Sequence, residues 1–247
     1  MNWPARCAAV IPCRDEETSI AWLVREVRQY LPLVVVVDDN SGDETAARAA
    51  EAGAQVIRRS VNPGKGAAIK AGVVAALAQN CAWVLTLDGD GQHGPEDIPA
   101  FLRRAEESGA PLIVGNRMHR AEDLPWLRRR VNRWMSRRIS QIAGRSLPDS
   151  QCGFRLINLK AWTGLRLETD HFEIESEMLL AFVQAGYQVE FVPIQVIGKG
   201  GRSRIHPVTD SWRWLKWWKR VRPVTCLSIR RKRAPGSLLK GRSGRAH

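Results

Sequence analysis

Short apolar runs alternate with helix-periodic segments along the first half of the chain. Residues 7–12 (CAAVIP) and 33–39 (LVVVVDD) are brief, Val-rich and bounded by Pro, Asp and Asn, the pattern of buried strands. Between them Ile20, Leu23, Val24 and Val27 recur at helical spacing behind Thr18 and Ser19 as capping residues. The alternation continues with a helix over SGDETAARAAEAGA that stops at Gly53, a strand at QVIRRS (55–60), a helix starting near Gly66, and a strand at AWVLTLD (82–88). Further on, PLIVGNRM (111–118) reads as a strand and LPDSQCGFRLINLKAW (147–162) as a loop leading into one. HFEIESEMLLAFVQAG (171–186) then reads as a helix and YQVEFVPIQVI (187–197) as a last strand. Such alternation predicts an α/β fold with a Rossmann-like, mostly parallel central sheet flanked by helices.

In sheets of this kind ligands sit at the carboxyl ends of the strands. Three loops at that edge are rich in acid or Gly: PCRDEE (12–17), DDNSGD (38–43) and DGDGQH (88–93). In the last, Asp88, Asp90 and Gln92 alternate at the end of an extended segment and can converge on one point. Asp-Gly pairs also make plain turns. Converging hard oxygens, however, suit Mg²⁺ or Mn²⁺, and an ion held by one or two carboxylates fills its other positions from water and substrate phosphates. The loop NPGKGAA (62–68) lacks Walker spacing, so it is not a phosphate loop of that kind. Its Lys65 and the helix start behind it could touch a diphosphate or simply face solvent.

Residues 124–144 (LPWLRRRVNRWMSRRISQIAG) form a cationic amphipathic segment. Leu127, Val131, Trp134, Met135, Ile139 and Ile142 make its apolar stripe, and six arginines from Arg128 to Arg138 its polar face. It reads either as a helix packed on the body or as one that meets an anionic surface.

With 247 residues, 44% of them hydrophobic, the chain can bury a full core. Its five cysteines show no C-x-x-C pairing, which points to reduced thiols in the cytoplasm rather than zinc ligands or disulfides. No run approaches the roughly 18 apolar residues of a membrane span, and the N-terminal sequence lacks a signal-peptide pattern. The net charge of +13 is unevenly spread: residues 1–201 hold 24 basic and 24 acidic side chains, residues 202–247 hold 14 and 1. A neutral body with a basic C-terminal arm implies an anionic partner surface, lipid or nucleic acid.

Taken together, VIPCRDEE, VVVDDNSGDET, NPGKGAAIKAG, LTLDGDGQH, SQCGFRLI and FEIESEMLL followed by VEFVPIQV resemble the inverting glycosyltransferases of family 2, which have the GT-A fold. The resemblance runs in order from about residue 7 to residue 205, and it looks closest to the polyprenyl-phosphate sugar transferases, the group that includes dolichol-phosphate mannose synthase. It implies a catalytic domain over 1–205 and an arm over 206–247. It also implies a nucleotide-sugar donor (UDP- or GDP-linked) whose nucleoside is held by Pro12, Glu16, Asp39 and Asp38. Where the family often carries Tyr-Asn between that Pro and Glu, this chain has Arg14 and Asp15. Asp88, Asp90 and Gln92 match the transferases' D-x-D-x-Q, which implies Mg²⁺ or Mn²⁺ bridging the donor diphosphate, with Lys65 beside it.

The mechanism so implied is direct displacement at the anomeric carbon with inversion. A phosphate acceptor such as polyprenyl phosphate needs no strong base but does need cations, and Arg117, Arg155 and Arg202 or Arg204 are the candidates. A hydroxyl acceptor would need a carboxylate, for which Glu177 is the choice among Glu173, Glu175 and Glu177. In the arm, Trp212, Trp214, Trp217 and Trp218 interleave with Arg and Lys, predicting a helix at the cytoplasmic face of a membrane, at least two of its Trp side chains packed on the body, and a disordered tail beyond. A nucleotidyltransferase and a nucleic-acid-binding protein are the competing classes. The separation of basic arm from acidic loops and the ordered motifs weigh against both, so no specific nucleic acid is expected.

Overall fold

The structure, a computed structural model, describes residues 1–61, 64–119, 125–197 and 207–232, with side chains of the last segment described over 209–221. The elements run α1 (Trp3–Arg6), β1 (Cys7–Cys13), α2 (Ile20–Arg28), β2 (Val34–Asp38), α3 (Thr45–Glu51), β3 (Gln55–Arg58), α4 (Lys65–Ala78), β4 (Trp83–Thr86) and α5 (Ile98–Ser108). They continue β5 (Leu112–Asn116), α6 (Trp126–Ala143), β6 (Arg155–Asn158), α7 (Leu159–Thr163), α8 (Ile174–Gln184), β7 (Val189–Pro193) and α9 (Pro207–Lys232).

Seven strands form one sheet in the order β3-β2-β1-β4-β6-β5-β7. Only β6 runs antiparallel, between β4 and β5, and every other pairing is parallel. β1, β2 and β4 are buried along their whole length, as their unbroken apolar runs require when helices cover both faces. Because β1, β2 and β4 are parallel neighbours, the loops after Cys13, Asp38 and Thr86 open on one edge.

Two elements differ from the sequence reading. Helix α5 was not anticipated, although Ile98, Phe101 and Ala105 give it a buried stripe, and Phe101 stacks on Phe154 at 4.3 Å between centroids. Helix α6 is present but rotated from the expected stripe: Asn132, Met135, Ser136 and Ile139 are buried, whereas Leu127 is 55% and Trp134 39% exposed. Asn132 borders a cleft, whereas Ser136 turns to the segment before β6, its Oγ donating to Ser150 Oγ at 3.2 Å. In α9, Trp214 and Trp217 are buried, and the indole Nε1 of Trp214 donates to Ser176 Oγ of α8 at 2.8 Å. Trp134 of α6 meets the Trp214 ring at 5.4 Å, so α9 is seated on α6 and α8. Among the described residues no helix is long and apolar enough to cross a membrane.

Candidate active site

A cleft of about 1110 Å³ opens where the loops after β1, β2 and β4 meet the starts of α4, α6, α8 and α9. That volume suits a ligand larger than a single sugar or nucleoside. One side is built from the sheet edge and carries Pro12, Glu16, Asp39, Lys65, Asp88 and Asp90. The rest of the lining is Arg117, which follows β5, and, from α6 and α9, Arg128, Asn132 and Arg213 together with apolar Leu127, Val131, Met135 and Trp214.

Hydrogen bonds between loops fix the sheet-edge side. The amide of Asp15 donates to Ser41 Oγ at 2.8 Å, that of Glu16 to Thr45 Oγ1 at 2.7 Å, and Gly42 N returns a bond to Asp15 Oδ1 at 2.8 Å. Asp38 lies beneath this side, fully buried, with Oδ1 accepting from the amide and hydroxyl of Ser41 and with Arg58 3.5 Å from Oδ2. Its neighbour Asp39 reaches the cleft and accepts the Gly64 amide at 3.1 Å, and burial raises its carboxyl above the ordinary range. Gly64 has φ +110°, and a Cβ there would come within 2.2 Å of His171 Nδ1, so both backbone angle and space call for glycine.

The loop after β4 is pinned by Ser19 Oγ, which donates to Gly89 O at 2.7 Å. The Lys65 ammonium lies 2.5 Å from Asp88 Oδ1 and 2.5 Å from Glu175 Oε1 of α8. Burial alone would raise the Asp88 carboxyl, but Lys65, with His93 and Arg117 behind it, holds it well below the usual carboxylate range. Asp90 is pushed the other way by burial and by the charge of Asp88. His93 is buried beside Phe154 at 5.6 Å, and burial lowers it to about 4, so it is neutral near pH 7.

Several expected site residues do other work. Arg155 is buried at 1% exposure and donates to three backbone carbonyls, of Cys152, Glu175 and Ser150, at 2.6–3.0 Å. Its fork is used up inside the protein, so it ties the β6 approach to α8 instead of clamping a phosphate. Glu177 accepts from the amides of Glu168 and Thr169, both at 2.9 Å, and from the Thr169 hydroxyl at 2.6 Å, fixing the loop before α8. The acid of that helix in the cleft is Glu175, which the sequence reading passed over. Gln92 is buried, its Oε1 accepting from Arg128 Nη1 at 3.2 Å and its amide donating to Asp90 Oδ1 at 3.0 Å. Arg117 lines the cleft, with Nε and Nη2 paired bidentately to Asp149 at 2.8 and 2.9 Å. Arg202, with Arg204, lies outside the described residues.

Arg128 and Asn132 were likewise unanticipated. Arg117 and Arg128 both line the cleft, and burial, with the charge of Arg117, lowers the Arg128 guanidinium. Asn132 lines the cleft, and its Nδ2 is buried without a hydrogen-bond partner. Periodicity marks α6 as a helix but does not say which of its arginines turns inward.

The described residues hold no group of three or more His, Cys, Asp or Glu side chains able to hold a metal. The two carboxylates of Asp88 and Asp90 nonetheless fit a Mg²⁺ or Mn²⁺ ion that completes its shell from diphosphate and water. The lysine drawn onto Asp88 marks a place where positive charge is held.

Residues 8–163 match the family model described as Glycosyl transferase family 2. The chain belongs to glycosyl transferase family 2. Family 2 relatives include glycosyltransferase AglJ of Haloferax volcanii, 28% identical over 216 residues, which span 85% of this chain and 70% of the relative. They include also the polyprenol monophosphomannose synthase of Mycolicibacterium smegmatis, 26% identical over 203 residues and 76% of each chain. Among solved structures, glucosyl-3-phosphoglycerate synthase from Mycobacterium tuberculosis, crystallised with Mn²⁺, UDP and phosphoglyceric acid, superposes with a TM-score of 0.66 at 21% identity, covering 94% of this chain and 80% of that one. The fold is therefore the GT-A arrangement expected from the motifs, and the family 2 protein is a glycosyltransferase.

Proposed function

We propose that this glycosyltransferase moves a sugar from a nucleoside diphosphate donor to a polyprenyl phosphate at the surface of an anionic membrane. The carrying observation is the division of the cleft: acids and Lys65 on the sheet-edge side, arginines, Asn132 and apolar side chains on the α6–α9 side. Pro12, Glu16 and Asp39 hold the nucleoside, and Asp88 and Asp90 face the diphosphate with Lys65 alongside. Asp88 and Asp90 would hold a divalent ion, which would supply positive charge against the negative charge that grows on the leaving diphosphate.

On the other side, Arg117 and Arg128 orient an acceptor phosphate toward the anomeric carbon. A phosphate oxygen forms the new bond to that carbon as its bond to the nucleoside diphosphate breaks, the electron pair leaving with the diphosphate. No proton has to be removed from an acceptor that is already anionic. The acids on the α6–α9 side are engaged accordingly, Glu175 with Lys65 and Asp210 with Arg213 at 3.5 Å. Leu127, Val131, Met135 and Trp214 give the first isoprene units an apolar wall, and the related mannose synthase, named for a polyprenol acceptor, supports this choice. The likeness to glucosyl-3-phosphoglycerate synthase supports a second reading, a soluble phosphate-bearing acceptor whose hydroxyl attacks the anomeric carbon.

The test is incubation with UDP- and GDP-sugars, Mn²⁺ and either undecaprenyl phosphate in phosphatidylglycerol vesicles or 3-phosphoglycerate. Sugar transfer to the lipid phosphate is the expected product. Transfer to phosphoglycerate alone would replace this acceptor with the soluble one.

A further inference from the structure

Lys65 stands between two carboxylates that belong to different elements, Asp88 after β4 and Glu175 in the first turn of α8, each at 2.5 Å. The contact is enclosed: the side chain of Lys65 is 13% exposed, that of Glu175 4%, and the ring of Phe172 lies 5.5 Å from the ammonium. Gly153 leaves room for the pair, since a Cβ there would come within 2.6 Å of Asp88 Oδ1 and 2.8 Å of Lys65 Nζ. An ammonium and a divalent ion cannot share one carboxylate oxygen at contact distance without strong repulsion.

We propose that Lys65, braced by Glu175, occupies the cation position on Asp88 in the donor-free protein and shifts onto the donor diphosphate when a divalent ion takes Asp88. Metal and donor then bind as one unit, and Glu175 is the positioning residue that keeps the ammonium in reach of both places. This rests on the donor reading above. It also accounts for a buried acid in α8 that faces the donor acids rather than the acceptor side.

The experiment is titration of Mn²⁺, followed by the electron paramagnetic resonance signal of the free ion, into wild type, Lys65→Met and Glu175→Gln, with and without UDP or GDP. Melting temperatures are recorded alongside. Wild type binds Mn²⁺ weakly alone and about tenfold more tightly with nucleotide, a coupling of ordinary allosteric size. Lys65→Met binds Mn²⁺ alone about tenfold more tightly than wild type, because a competing cation at close range is gone, and gains little from nucleotide. Glu175→Gln, which leaves Lys65 with Asp88 as its one carboxylate partner, binds Mn²⁺ alone more weakly than wild type. Weakened Mn²⁺ binding in both variants would mean that Lys65 and Glu175 only shape the site, and would overturn the proposal. Nucleotide-strengthened Mn²⁺ binding that Lys65→Met leaves unchanged would overturn the handover alone, whereas its absence from wild type would overturn the donor reading itself.

Discussion

Replacing Arg155 with methionine removes the charged donor from three buried carbonyls, those of Cys152 and Ser150 and that of Glu175, which keeps its helical partner within α8. Buried acceptors left unpaired cost about 1–3 kcal/mol apiece, so Arg155→Met is expected to destabilise the protein by roughly 3 kcal/mol or more. Urea unfolding checks this, and a loss below about 1 kcal/mol, within the range of an ordinary surface substitution, would contradict it. Gly153→Ala makes the opposite expectation. Its new methyl meets only the far ends of Asp88 and Lys65, which can move, so stability changes little while Mn²⁺ and nucleotide binding fall. Equal loss of both, read from unfolding and titration of the same preparation, would place Gly153 in the fold rather than the site. Glu175 and Glu177 show what the sequence held at this scale. Glu175 shares its helix face with Met178, Leu179 and Phe182, all buried, so the periodicity already pointed it inward. Glu177 lies off that stripe and turns to the amides of Glu168 and Thr169, a loop contact that no spacing rule reveals.

The alternation of strands and helices was legible because a parallel sheet covered on both faces forces unbroken apolar strands, and β1, β2 and β4 are of that kind. Their loops open on the cleft, so the D-x-D loop and Asp39 could be placed from the sequence, whereas Asp38 lies beneath the cleft against Ser41 and Arg58. The α6–α9 side was less legible, since its residues come from helices whose rotation depends on what they pack against. Asn132 and Ser136 face inward on α6 where an apolar stripe was expected, and Arg128 could not be chosen from its run of three arginines. Helix α9 hangs on Trp214, which fills the gap between Trp134 and Ser176. Trp214→Ala should cost about 3–5 kcal/mol of docking and raise amide exchange over 209–221 while β1 and β2 stay protected. Uniform exchange along the whole chain would instead make α9 part of the same cooperative unit as the sheet.

Across the whole chain, basic charge concentrates in the C-terminal sequence, and exposed tryptophans stand on α6 and α9. The 46 C-terminal residues carry 14 basic side chains against one acid, and Trp126 at 64% and Trp212 at 56% are the most exposed tryptophans of α6 and α9. Indoles of this kind prefer the headgroup region, and the cations draw them to anionic lipid. Because α9 also buries Trp214 and Trp217, deleting it would mix loss of packing with loss of membrane contact. The cleaner change is Trp126→Ser with Trp212→Ser. It should lower co-sedimentation with phosphatidylglycerol vesicles several-fold and leave the melting temperature in place; undiminished co-sedimentation would contradict a membrane-facing acceptor end. A membrane is the partner proposed at this scale, and the acids proposed to face the donor decide whether there is a reaction for it to take part in.

Calorimetric titration of UDP and GDP into wild type and Asp90→Ala, each with Mn²⁺ and with EDTA, therefore bears most directly on the active-site assignment. One nucleotide should bind wild type with Mn²⁺ present, lose that binding in EDTA, and fail to bind Asp90→Ala of unchanged melting temperature. Equal binding in EDTA, or binding to Asp90→Ala as tight as to wild type, would contradict a metal-bridged donor at the Asp88–Asp90 loop.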